Sequence, residues 1–274
     1  MTSIHKHIFK IFCTIDTIRT KLNRHTLIHT KDSNFVAEIT IQMLTEYNKF
    51  GRIVGTVPGD FKPNFMIKPH QFLSYAESNL NEGTPHGLLD CLSNSKRAIE
   101  CQVDSLLTYI GIYDVIKKKK YGFPSKIKVL NDVGIVSPRI LTKVNKSRNL
   151  LEHSYQIPDK EKVEDAFDVA YLFVLCTERY LNIGTYSFSL ECDCRFGEEI
   201  DTDFYPEQGK PTYGGFYEII LNPGPKTIYI EAHLRDWETN DPIELPDKQV
   251  SFESEEYYEY LRFFLKLYDL INVR

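Results

Sequence analysis

The sequence has no long uninterrupted apolar run. Nothing in its 274 residues approaches the ~18 uncharged apolar positions that a membrane helix requires, so no spanning helix is expected. The segment IHKHIFKIFCTIDTIRTKLNRH is broken by Lys10, Asp16 and Arg19, which spoils a secretory core; it is basic and acid-poor, as a transit peptide is, and reads first as an ordinary amphipathic helix over about 5–23. Cysteine is sparse, with six residues. Cys91, Cys101 and Cys176 fall at apolar positions of helical patterns, where a free thiol behaves as a small hydrophobe. Cys192 and Cys194 alternate along a strand pattern, and no second Cys/His pair lies nearby at zinc-like spacing, so neither a metal site nor a disulfide framework is expected. A reducing, cytoplasmic setting follows. There is no glycine-rich phosphate loop, no internal repeat and no low-complexity tract, and no residue pattern calls for a cofactor.

What is present is uneven charge. Between Lys117 and Arg148 there are eight Lys and two Arg against the single acid Asp132, a net of +9 within a chain whose total is −5. The remainder therefore carries −14, including the acidic tract Glu198, Glu199, Asp201 and Asp203. A solvated basic face is the ordinary meaning of such a run. Its continuation into Arg148 and His153 favours a phosphate-attracting patch, to which Lys117, Lys118, Lys119, Lys120, Lys143 and Lys146 contribute.

Hydrophobic periodicity divides the chain into three segments, 1–80, 81–183 and 184–274. The first is mostly helical, with a pattern through Phe35, Ile39, Met43 and Tyr47. A short extended stretch, RIVGTV, follows, and Pro63 and Pro69 mark a loop. The second opens on a long helix whose inward face is Leu88, Leu92, Ser95, Ile99, Val103, Leu106 and Ile110. The polar stretch KKKKYGFP ends it. A second helix places Ile127, Leu130 and Val133 inward and stops at Gly134. A third runs from Ser137-Pro138 to Pro158 with Ile140, Val144 and Leu151 on its core face. A fourth is capped by Asp159 and carries Phe167, Ala170, Tyr171, Val174 and Leu181. Four helices with short connections predict an antiparallel bundle.

At Gly184 the period changes to two. TYSFSLECDC alternates, and GGFYEIIL and KTIYIEAHL flank the turn Asn222-Pro-Gly-Pro225, with a bulge or tight bend expected at Gly214-Gly215. A last strand leads into a helix burying Tyr257, Leu261, Phe264 and Leu267. The fold class is therefore α+β, mainly α: a central four-helix bundle followed by a small antiparallel sheet capped by a helix.

The chemistry-bearing stretch is KVNKSRNLLEHSYQIP. At ~100° per residue, with Arg148 at zero, Glu152 falls near 40°, Asn149 near 100° and His153 near 140°, with Tyr155 just to the other side. Polar heads thus share one arc beside the apolar stripe. Asn149 and His153 are i,i+4 neighbours, so the amide can orient the imidazole, and Arg148 and Glu152 can pair. Spacing by itself favours a plain surface ion pair and a histidine at a helix end. His70, His86 and His233 stand apart from other catalytic types and read as structural, and Asp236-Trp237-Glu238 reads as a packing corner.

The motif RNLLEHSY resembles the Arg-x4-6-His signature of HEPN-domain proteins, in the Arg-x4-His-x-Tyr form found in HEPN toxins. KRAIECQVDSLL before it and PDKEKVEDAFDVAYLFVLCTERYL after it resemble the same family, so the likeness covers about a third of the chain and falls on the third of four helices. The resemblance implies metal-independent endoribonuclease activity from two motifs facing each other across a homodimer. It makes His153 an acid or base, Arg148 the phosphate ligand and Asn149 an orienting group. Tyr155 matches the tyrosine that partner nucleotidyltransferases modify in related toxins. A non-catalytic HEPN module binding a nucleotide or a partner protein is the alternative.

Overall fold

The computed structural model describes residues 38–48, 51–58, 65–135, 159–183, 185–192, 213–236 and 239–271. By its contacts the chain divides into Met1–Glu38 and Ile39–Arg274, and the elements below all belong to the second unit. They are α1 (Ile41–Tyr47), β1 (Gly51–Pro58), α2 (Pro69–Glu82), α3 (Pro85–Tyr109), α4 (Tyr113–Lys118), α5 (Phe123–Asp132) and α6 (Lys160–Ile183). They continue with β2 (Thr185–Cys192), β3 (Tyr213–Asn222), β4 (Thr227–Asp236), β5 (Pro242–Ile243), β6 (Lys248–Ser251) and α7 (Tyr257–Ile271). The class is α+β with an antiparallel sheet. The helices expected over about 5–23 and from Ser137 to Pro158 lie outside the described residues.

Local chemistry explains where the long helices begin and end. Thr84 accepts the Gly87 N–H through Oγ1 at 2.9 Å, and Pro85 occupies the first turn, where its missing N–H costs nothing. All seven positions expected inward on α3 are buried. At its far end Gly111 takes φ 77°, and a Cβ there would lie 2.4 Å from the Pro223 carbonyl oxygen. Only glycine allows the end of α3 to meet the β3–β4 turn this closely. α5 buries Ile127 and Leu130 and stops where Gly134 takes φ 84°, with the Ile135 N–H returning to the Leu130 carbonyl at 2.9 Å. Asp159 caps α6 by accepting the Glu161 N–H at 3.2 Å.

Three details differ from the sequence reading. Pro69 does not lie in a loop; it starts α2, with the Lys68 N–H held by the Gln71 side chain at 2.9 Å. Proline is as compatible with the first turn of a helix as with a loop, and the loop reading took the wrong branch. On α6 the inward stripe is Val163, Ala166, Ala170, Phe173, Val174, Thr177 and Tyr180, while Tyr171 is 49% exposed. The helix is apolar on more than one face, so periodicity admitted two stripes. Finally, Gly214 and Gly215 pair with Arg235 and Leu234 without a break in register. Gly215 takes φ 111°, with the His233 carbonyl oxygen 2.1 Å from where a Cβ would be, so it is a close backbone approach and not a bulge.

The sheet order is β1-β2-β3-β4-β5, every pairing antiparallel, with β6 also on β4 beside Thr227–Ile230. It thus draws one strand from the first of the three sequence segments and the others from the last. Alternation puts Phe188, Leu190, Tyr217, Ile219, Ile228 and Ile230 into the core. α7 packs against this sheet, and the Phe188 ring meets Phe264 and Tyr268 at 4.8 and 5.1 Å. Tyr109 of α3 stacks on Tyr186 of β2 and hydrogen bonds to the Tyr268 hydroxyl, and Tyr180 of α6 lies edge-on to the same Tyr268. One apolar core therefore runs from the helices into the sheet.

Candidate nucleic-acid interface

Of the residues singled out from the sequence, Lys117, Lys118, Lys119 and Lys120 are described. Arg148, Asn149, His153, Tyr155, Lys143 and Lys146 lie outside the described residues. The four lysines sit where α4 gives way to α5. Lys117 and Lys118 form the last turn of α4, Lys119 is its C-cap, and Lys120 turns the chain at φ 51°. The Lys120 N–H bonds to the Lys117 carbonyl at 3.1 Å and the Tyr121 N–H to the Ile116 carbonyl at 3.1 Å, which closes the helix end. Ile116, 1% exposed, anchors the short helix, and the lysines project outward.

The +9 of the sequence segment overstates the charge available to a ligand. Lys126 Nζ lies 2.6 Å from Asp104 Oδ1 of α3. Burial raises the Asp104 pKa, and Lys126 opposes that shift. Lys128 Nζ lies 2.7 Å from Asp132 Oδ2 one turn on, and this carboxylate raises the pKa of the ammonium. Both cations are thus spoken for within the fold. Lys117 to Lys120 are exposed, and none has a carboxylate partner among the described residues. Among the described residues of this segment, the lysines without a carboxylate partner are concentrated at one corner.

That corner also holds an aromatic ring the sequence reading passed over. Tyr121 is 38% exposed, and Lys119 Nζ lies 6.0 Å from its ring centroid. The signal was available, since an aromatic directly following a lysine run is a pattern of nucleic-acid surfaces. α5 then begins at Phe123, with Gly122 as N-cap and no side chain accepting its first N–H groups, so the positive end of its dipole opens beside the lysines.

The three described histidines, His70, His86 and His233, each lie against a carboxylate. His70 Nε2 lies 2.6 Å from Glu178, His86 lies 3.2 Å from Asp90, and His233 lies 3.3 Å from Glu231 while stacking on Phe216. The first ties α2 to α6, the second is an i,i+4 pair on α3, and the third lies within β4. Among the described residues no cluster of three or more His, Cys, Asp or Glu is placed to hold a metal ion, and no helix is long and apolar enough to cross a membrane.

No family model, curated protein or solved structure matches the chain.

Proposed function

We propose that the chain is a HEPN-type endoribonuclease or toxin-like effector of the cytoplasm, cutting RNA without a metal ion and working as a homodimer. The observation that carries the reading is the Arg148-x4-His153-x-Tyr155 spacing within RNLLEHSY. Two features support it. α3, α5 and α6 are helices over the sequence spans in which the first, second and fourth helices of such a bundle are expected. Tyr171, Leu172 and Leu175 leave an apolar ridge exposed on α6, which offers a surface for self-association.

In the reaction His153, whose side-chain type titrates near neutral pH, takes the proton from a ribose 2′-OH as that oxygen attacks the adjacent phosphorus. The P–O5′ bond breaks, and the partner subunit's His153 protonates the departing oxygen. A 2′,3′-cyclic phosphate and a 5′-hydroxyl remain. Arg148 offers a planar fork of donors to the phosphorane oxygens, Asn149 orients the imidazole, and Glu152 holds Arg148 ready. A nucleotidyltransferase partner that adds a nucleotide to Tyr155 would block the site.

The test compares wild type and His153→Ala on total RNA in EDTA. The variant is expected to lose on the order of 10²–10⁴-fold in rate. Arg148→Ala should lose a few kcal/mol of transition-state stabilisation, roughly 10²–10³-fold. RNA left intact by both wild type and His153→Ala would sink the ribonuclease reading in favour of a module that binds a nucleotide or a protein. Equal cutting by both would sink the site assignment.

A further inference from the structure

We infer that the corner joining α4 to α5 is a docking platform for single-stranded RNA, in which Lys117–Lys120 hold consecutive phosphates and Tyr121 stacks on a base. The inference rests on the RNA reading above and adds to it a binding site outside the Arg148–His153 motif, together with a preference for unpaired strands.

The bland account is that the lysines are a solvated helix end, favoured there by the dipole. It explains Lys117 and Lys118, which lie in the last turn of α4. It does not explain Lys120. That residue occupies a left-handed position, φ 51°, where glycine would close the same turn without a steric penalty. Lys120 thus carries a charge where the backbone disfavours a side chain, as Lys226 does at φ 57°, and at Lys120 this coincides with three further unmatched cations. Nor does it explain the contrast with α5. Lys126 and Lys128 are each matched by a carboxylate at 2.6 and 2.7 Å, so this surface neutralises its cations readily, yet four consecutive ones remain unmatched. The start of α5, a helix of 10 residues, turns the positive end of its dipole toward the same field, although Pro124 lacks an N–H and the Ser125 and Lys126 N–H groups already donate to the Gly122 carbonyl at 3.0 and 3.2 Å.

Charge alone would suit any polyanion. Tyr121 narrows the choice. Its backbone is pinned by the Ile116 carbonyl, and its ring stands beside Lys119 with part of its surface open to solvent. A ring among unmatched cations fits a strand whose bases are turned outward, because bases stack on aromatics whatever their identity. A duplex buries those faces and presents phosphates, 2′-hydroxyls and base edges instead. An anionic membrane surface would take the lysines but needs no planar ring between them.

The experiment measures binding of a fluorescent 2′-O-methyl single strand, which cannot be cleaved by 2′-OH attack, to the full chain by anisotropy over a salt series. Four proteins are compared: wild type, Tyr121→Ala, Tyr121→Phe and Lys120→Gly. Tyr121→Ala should weaken binding roughly tenfold, and Tyr121→Phe should restore it. Lys120→Gly should raise the melting temperature while weakening binding and reducing the log–log salt slope by about 0.7. A duplex of the same sequence should bind less well and be indifferent to Tyr121→Ala.

If wild type binds the strand and both Tyr121→Ala and Lys120→Gly bind equally well, the platform is overturned while the RNA reading stands. Equal affinity for duplex overturns the single-strand preference. Capture by phosphatidylserine vesicles that depends on Lys120 but not on Tyr121, without RNA binding, overturns the inference in favour of a membrane. No binding of any RNA by wild type overturns the RNA reading, and the inference falls with it.

Discussion

α3 and α7 are both long amphipathic helices with fully buried faces, yet the two faces are built from different materials. α3 buries Leu, Ile and Val together with Cys91, Ser95, Gln102 and Ser105. α7 buries Tyr257, Tyr260, Leu261, Phe263, Phe264, Leu265, Leu267 and Tyr268. The partners account for the contrast. α3 lies against other helices, α2 and α6, where axes approach to about 8–10 Å and small side chains let the backbones close up. α7 lies against a sheet, where layers stand about 10 Å apart and large rings fill the gap. The polar groups of α3 are met in different ways: the Gln102 amide donates to Thr177 Oγ1 of α6 at 2.9 Å, Thr177 donates onward to the Phe173 carbonyl, and Ser105 donates within α3 to the Cys101 carbonyl at 2.8 Å. On α7 the buried polar pairs come from the rings themselves: the Tyr260 hydroxyl donates to the Ile39 carbonyl at 2.9 Å, and the Tyr268 hydroxyl pairs with that of Tyr109.

The largest effect that would test this contrast is loss of a ring on α7. Phe264 is 0% exposed and touches Phe188 and Tyr268. Phe264→Ala should destabilise the fold by about 3–5 kcal/mol, read as a shift in urea midpoint at constant slope. A loss below about 1 kcal/mol would mean that the helix–sheet layer collapses around the hole and that ring volume does not set the spacing.

On α3 the expected effect is smaller and depends on which partner is removed. Thr177→Val leaves the buried Gln102 amide without its acceptor and should cost about 1–3 kcal/mol. Changing Gln102→Leu together with Thr177→Val removes both partners and should recover most of that loss. A double variant as unstable as the sum of its parts would show that these groups stabilise by shape and not by pairing.

The same contrast explains how far the sequence could be read. The faces of α3 and α7 are legible because each has one partner side and a clean helical period. α6 meets α2 and α3 on one side and leaves Tyr171, Leu172 and Leu175 exposed on another, so the period was ambiguous. α2 was hidden behind Pro69, which serves a loop and a helix start equally well. That RIVGTV joins β2 could not be read at all. Its partner strand, Thr185–Cys192, lies more than a hundred residues away, and nothing local encodes a pairing at that distance. At the candidate interface the lysine run was plain, but its effective charge was not. Only the fold brings Asp104 of α3 onto Lys126, and Lys128 is neutralised by an acid that the bare count had already weighed against all ten cations. The significance of Tyr121 depended on knowing that its neighbours are unmatched.

The smallest effect concerns pH, and it again separates α3 from α7. Burial pushes the Cys91 thiol of α3 from 9.0 up to about 11, with Ser95 partly opposing the shift. Burial and then the nearby Asp104 push Cys101 up to about 11. In the unfolded chain both thiols release their protons near pH 9, while the folded protein holds them until about pH 11. The unfolded state therefore carries fewer protons in that window, and stability falls as pH rises through it. The stabilising term is fully present below pH 9 and gone once the folded pKa is passed. Tyr257 of α7 acts in the same direction, because burial raises its phenol well above the ordinary value and delays its ionisation further. Melting temperature should accordingly decline from about pH 9 upward, reversibly. Cys91→Ala should start from a lower stability because of the cavity, but its decline between pH 9 and 11 should be shallower than that of wild type. Tyr257→Phe should flatten the decline above about pH 10 and leave the lower part of the window unchanged. Parallel curves for wild type and Cys91→Ala would mean that the Cys91 thiol ionises as freely in the fold as outside it, and that α3 does not bury it as tightly as its packing against Ala76, Leu88 and Val163 requires.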